Sequence, residues 1–204
     1  MVFVVVVLAI LAMIGIQLVV TLPSVTRKRA GKALVFVLFF LVPLLVTGAG
    51  TSAHLKRARS TQFCLSCHEM GDHGESLRID DPKSLPAAHF QNKWIPREEA
   101  CYACHAEYTL FGDARAKVKG LEHLWVHFKG APKSDEIKLY EPFLNRECLR
   151  CHDGARNYEA LTQPSELLAD LKSGETSCLE CHDSMHDVGS LAERKLWTSG
   201  EAGQ

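Results

Sequence analysis

Hydrophobic positions along the chain fall into two unlike regimes. Residues 1–22 carry no charged side chain, and neither do residues 33–53. As a helix rising about 1.5 Å per residue, the first stretch reaches about 33 Å, enough for a bilayer core, and the second is of similar reach. Between them lies a basic turn, Thr26-Arg27-Lys28-Arg29-Ala30-Gly31-Lys32. The pattern predicts a transmembrane helical hairpin over residues 1–53, with spans at about 1–22 and 33–53. A cleaved signal peptide would open with positive charge and a shorter apolar core, and Met1-Val2-Phe3-Val4 has no such charge. Basic loops stay on the cytoplasmic side, so residues 54–204 are expected outside, although Lys56, Arg57 and Arg59 follow the second span there.

Beyond residue 53 the long apolar runs stop. Leu121, Leu124, Trp125 and Phe128 recur at helical spacing within Arg115–Lys129, and Gly130-Ala131-Pro132 ends that helix. Pro164–Lys172 is a second helix candidate, stopping at Ser173-Gly174. No strand pattern stands out. The expected class is mainly α with extensive loops, and so little Leu, Ile and Val implies staples, metals or cofactors in place of a large core. All 24 acidic residues, and all but four of the 23 basic ones, lie in this region. That anionic balance argues against a nucleic-acid partner.

The cysteines identify the staple. All eight fall into four copies of one pattern: Cys64-Leu65-Ser66-Cys67-His68, Cys101-Tyr102-Ala103-Cys104-His105, Cys148-Leu149-Arg150-Cys151-His152 and Cys178-Leu179-Glu180-Cys181-His182. Two thiols at this spacing bond the porphyrin vinyl groups as thioethers, and the following imidazole is placed to ligate the iron. Zinc sites and redox dithiols also use Cys-x-x-Cys, but neither requires a His at the fifth position four times out of four. The expectation is four covalent haem c groups packed in a small multihaem domain, residues 54–204, on the periplasmic side of a bacterial inner membrane.

Four haems held on both faces call for up to eight axial ligands. The motifs supply His68, His105, His152 and His182; the other candidates are His54, His73, His89, His123, His127, His186, Met70 and Met185. His186 follows His182 by four residues and cannot reach round the same porphyrin, so it would serve a neighbouring haem. His123 and His127 lie one turn apart on one helix face; they address two haems, or one is a surface residue. Met70 sits two residues after His68, so it would replace His68 on the same face; by residue physics alone it is a space filler.

The chain resembles the NapC/NirT/NrfH family of membrane-bound tetrahaem quinol dehydrogenases over roughly residues 60–188. The resemblance is carried by Phe63-Cys64-Leu65-Ser66-Cys67-His68-Glu69-Met70, Ala88-His89-Phe90-Gln91-Asn92, Glu147-Cys148-Leu149-Arg150-Cys151-His152 and Gly174-Glu175-Thr176-Ser177-Cys178-Leu179-Glu180-Cys181-His182 with His186 after it. It implies Met70 as axial ligand of the first haem, and beside that haem a quinol site whose lysine corresponds to Lys117, with Lys119 a close competitor. Such a lysine would stabilise a developing quinol oxyanion, with Glu122 or His123 as proton acceptor. The chain departs from the family in three places. It offers two apolar helices where one is usual, has Leu167 and Leu168 where a His usually stands between the third and fourth motifs, and carries Glu122-His123 where an acidic residue is expected near the first haem.

These observations imply electron transfer from the quinol pool of the membrane to a periplasmic reductase or multihaem partner. The alternative is an electron-relay subunit of a larger membrane complex with no quinone site of its own. Turnover of a small molecule such as nitrite or hydroxylamine needs a five-coordinate iron in a cationic pocket, and the abundance of His weighs against it.

Overall fold

A computed structural model describes residues 2–22, 27–130, 132–183 and 185–198. The chain divides into two compact units, Met1–Arg59 and Ser60–Gln204.

In the first unit, α1 (Val2–Thr21) is followed by α2 (Arg29–Arg57). Among the described residues α2 is the one helix long and apolar enough to cross a membrane; Val6–Thr21 is a shorter apolar stretch. Arg29 and Lys32, expected in the connecting turn, instead form the first turn of α2, and Thr26 lies outside the described residues. The helix widens into a π turn at Val37–Leu41, just ahead of Pro43. Proline has no N–H to give and crowds the carbonyl four residues back, which a wider turn accommodates. The two helices meet at Gly15, where a Cβ would come within 2.8 Å of the Leu38 side chain.

The second unit is a succession of short helices: α3 (Thr61–Cys64), α4 (Gly71–Ser76), α5 (Leu85–Gln91), α6 (Ala100–His105), α7 (Gly112–Gly130), α8 (Asn145–His152), α9 (Arg156–Glu159), α10 (Thr162–Glu166) and α11 (Leu168–Ser173). No strand occurs among the described residues; one antiparallel bridge joins Ile79 to Leu196. Local signals set the ends. Ser60 caps α3 by accepting the Phe63 N–H, and Gly174, at φ 83°, closes α11. The segment expected as one helix over Pro164–Lys172 is broken at Leu167 into α10 and α11.

The apolar core of this unit is small. Leu77, Ile79, Leu149 and Leu171 are buried with Ala87, Ala100 and Ala106. Polar clasps supply much of the remaining order. The Thr61 hydroxyl accepts the Ala100 N–H and donates to the Arg97 carbonyl, both at 2.8 Å, joining α3 to the start of α6. The Asn145 amide donates to the Leu171 and Thr176 carbonyls at 2.9 and 2.6 Å and accepts the Cys178 N–H at 2.9 Å. Thr61 thereby ties the first motif to the second, and Asn145 ties the third to the fourth.

Helix α7 presents two contrasting faces. Arg115, Lys119, His123 and His127 recur every four residues and all have partners: Glu107 and Glu141 for the first two, Tyr140 for His123 and Glu69 for His127. Val118, Leu121, Trp125 and Phe128 occupy the opposite face and are exposed. The apolar residues that predict this helix therefore do not face a protein core.

Replacing Asn145 by Ala removes three hydrogen bonds at once. At about 1 kcal/mol net per bond, with the Cys178 N–H left without its acceptor, the second unit should lose about 2–4 kcal/mol. Thermal unfolding followed by haem absorbance should show a lowered midpoint; an unchanged one refutes the clasp.

Candidate functional site

The four Cys-x-x-Cys-His sequences begin at short helical segments. The first starts at the end of α3, the second and third lie within α6 and α8, and the fourth opens with a 3-10 turn at Cys178–Glu180. In the second and third motifs helical winding brings positions i, i+3 and i+4 to one side, so both thiols and the imidazole address the same space. The fourth turn is held by a capping box, in which Ser177 accepts the Leu179 N–H and Glu180 accepts the Ser177 N–H. All eight cysteines are unbridged.

The motifs are adjacent in pairs. The thiol of Cys64 lies beside that of Cys101, and the thiol of Cys148 beside that of Cys178. The Cys101 partner, with a smaller contribution from the charge of Lys117, lowers the Cys64 thiol to about 7 against the opposing effect of burial. The Cys101 thiol is correspondingly raised. Burial, chiefly, pushes Cys148 up to about 12.

Three of the four motif histidines face a second imidazole brought from elsewhere in the chain. Ring centres are 5.8 Å apart for His68 and His127, 6.2 Å for His105 and His186, and 6.0 Å for His152 and His89. Nitrogen–metal bonds of imidazole run about 2 Å and the ring centre lies about 1 Å behind the nitrogen, so two imidazoles across one iron have centres about 6 Å apart. The three observed separations match that spacing.

Each of the three recruited imidazoles also has its Nδ1 engaged. The Ser76 hydroxyl spends its proton on the His73 carbonyl at 2.7 Å, so it accepts from His186 Nδ1–H, also at 2.7 Å. His89 Nδ1–H donates to the Leu85 carbonyl at 2.8 Å, and His127 Nδ1–H to the Glu69 carboxylate. With the proton on Nδ1, the Nε2 lone pair is left bare for a metal. Desolvation lowers His186 to about 4, and lowers His105 and His152 as well.

The remaining candidates separate cleanly. His123 lies against Tyr140, ring centres 5.2 Å apart, with the phenol 3.2 Å from Nδ1. His73 packs on His186 at 5.4 Å, and its buried Nδ1 has no hydrogen-bond partner. His54 is in the last turns of α2, in the first unit. Met70 is half-buried beside the first motif, while His68 is exposed and its Nε2 lies 3.2 Å from Glu69. Lys117 stands over the Tyr102 ring at 4.7 Å. Its competitor Lys119 is neutralised by Glu107 at 2.8 Å and Glu141 at 2.6 Å. Glu122 is exposed on α7.

Residues 25–191 match the family described as the NapC/NirT cytochrome c family, N-terminal region. The chain belongs to that family. Curated relatives include the cytochrome c-type protein NapC of Paracoccus pantotrophus, 25% identical over 154 residues, or 65% of this chain and 60% of that protein. The cytochrome c-type protein TorC of Escherichia coli O157:H7 is 26% identical over 173 residues, or 73% of this chain and 41% of that protein. The chain thus spans less than two thirds of the length of either relative. No solved structure matches it.

A NapC/NirT-family chain is a c-type cytochrome, which holds haem covalently through cysteine and transfers electrons. The unbridged cysteine pairs, the 5.8–6.2 Å imidazole spacings and the Nδ1-protonated tautomers all fit such a group. Glu69 and Ser76, which set two of those tautomers, do not announce themselves in the sequence. Ser76 in particular lies 110 positions from His186, and only an expectation that a ligand's second nitrogen needs an acceptor could have prompted a search for it.

Replacing His186 by Ala should convert one low-spin ferric haem to high spin, visible as a gain in high-spin EPR intensity, without loss of covalent haem. His89→Ala should do the same for a different haem. Unchanged spectra in both variants refute the pairing.

Proposed function

We propose that the chain is a membrane-anchored tetrahaem c-type cytochrome that takes electrons from the quinol pool and delivers them to a periplasmic reductase or multihaem partner. Residues 1–53 form a two-helix anchor in the bacterial cytoplasmic membrane, and residues 54–204 form the haem domain on its outer side. The observation that carries this reading is the threefold imidazole pairing around a set of four complete attachment motifs. Cys64, Cys67, Cys101, Cys104, Cys148, Cys151, Cys178 and Cys181 make the thioethers. His105 with His186 and His152 with His89 hold two irons, His68 or Met70 with His127 a third, and His182 the fourth. When bound, haem supplies a one-electron redox centre at each motif.

The chain's own residues do the rest. Quinol oxidation releases two protons and two electrons. Lys117 is near the first two motifs: it lies over Tyr102 and its charge lowers the Cys64 thiol. Its ammonium favours the anionic quinol oxygen left when the first proton departs. Lys119 cannot take this role while Glu107 and Glu141 hold it. His123 contacts the Tyr140 hydroxyl and, as an imidazole, is a candidate proton acceptor, with Glu122 next to it in sequence and open to water.

The pairing of His68 with His127 favours a second reading. If both imidazoles hold the first iron, that site has no open face, and the chain acts as a relay within a larger membrane complex. Quinol added to the purified protein distinguishes the two. Under the first reading the haems are reduced, and Lys117→Ala slows reduction at least tenfold while Lys119→Ala changes it little. No reduction by quinol selects the relay.

A further inference from the structure

The ten histidines of the chain divide unevenly around the four motifs. His127, His186 and His89 face the first, second and third motif histidines. His123 is engaged by Tyr140, and His73 is buried against His186. Met185 follows His182 by three residues, too few to pass round a porphyrin, and Lys172 is held by Asp153 at 2.9 Å. Among the described residues of the second unit, no ring faces His182, whose exposed imidazole makes no hydrogen bond or ion pair.

We propose that the iron bound through His182 has an open second axial position, and that this position takes a small neutral ligand of the carbon monoxide or nitric oxide type. Ferrous haem with one imidazole is five-coordinate and binds such ligands, whereas a second imidazole blocks them. The inference rests on the four-haem reading above and makes the fourth site a ligand-binding centre.

The test uses the full chain in lipid nanodiscs, with carbon monoxide as probe and mass spectrometry to count covalent haems. The expected result is four haems, one high-spin ferric signal, and one carbon monoxide bound per reduced chain. His182→Met keeps the attachment cysteines and should shift the iron–carbon stretching band, because the ligand opposite carbon monoxide has changed. The double variant Cys178→Ala, Cys181→Ala should lose one haem and all carbon monoxide uptake. Uptake that survives the double variant, or a band unmoved in His182→Met, places the open iron elsewhere and overturns the proposal. Four haems with no uptake overturn it while leaving the four-haem reading intact; three haems with Cys178 and Cys181 unmodified overturn both.

Discussion

An imidazole can offer a metal one lone pair only if its other nitrogen keeps the proton, and the arrangement of the second unit follows from meeting that condition three times. Ser76, Glu69 and the Leu85 carbonyl each engage an Nδ1. Their positions fix where α4, the first motif, α5 and α7 must lie relative to the histidines they serve. Ser76 sits at the end of α4 and is almost wholly buried, a costly place for a hydroxyl unless both its proton and its lone pair are used. Both are.

This condition explains a unit that otherwise looks under-built. Its buried apolar residues are few and several are alanines, so side-chain clasps such as Thr61 and Asn145 hold one motif segment against the next. The ion network of Glu107 with Arg115, Lys119 and Arg146, which Glu141 and Glu147 extend, fastens α7 to the segments on either side of it. Individual surface pairs contribute little, but Glu107 is largely buried and receives three cations, which makes it an organising centre. Family membership adds the cofactor that a small core of this kind requires.

Much of this was legible in the residues. The four motifs, the helix around Arg115–Lys129 and the pool of distal histidines are local patterns, and the structure places a helix at Gly112–Gly130. What local patterns do not encode is partnership across the chain. That His186 turns to His105 and His89 to His152 depends on contacts between segments far apart in sequence. The break at Leu167 was hidden because helical propensity continues through it, and the Lys117–Lys119 choice was hidden because Glu107 and Glu141 lie outside α7. At the front, charge alone assigned Arg29 and Lys32 to a turn, whereas the helix begins with them.

The adjacency of Cys64 with Cys101, and of Cys148 with Cys178, bears on how the protein is made. Each pair sets thiols of two different motifs side by side. Thiolates in contact with a second thiol close to a disulfide in an oxidising compartment, and such a bond would join two different motifs and block both. Thioethers formed before folding brings the neighbours together would leave no thiol free for that bond.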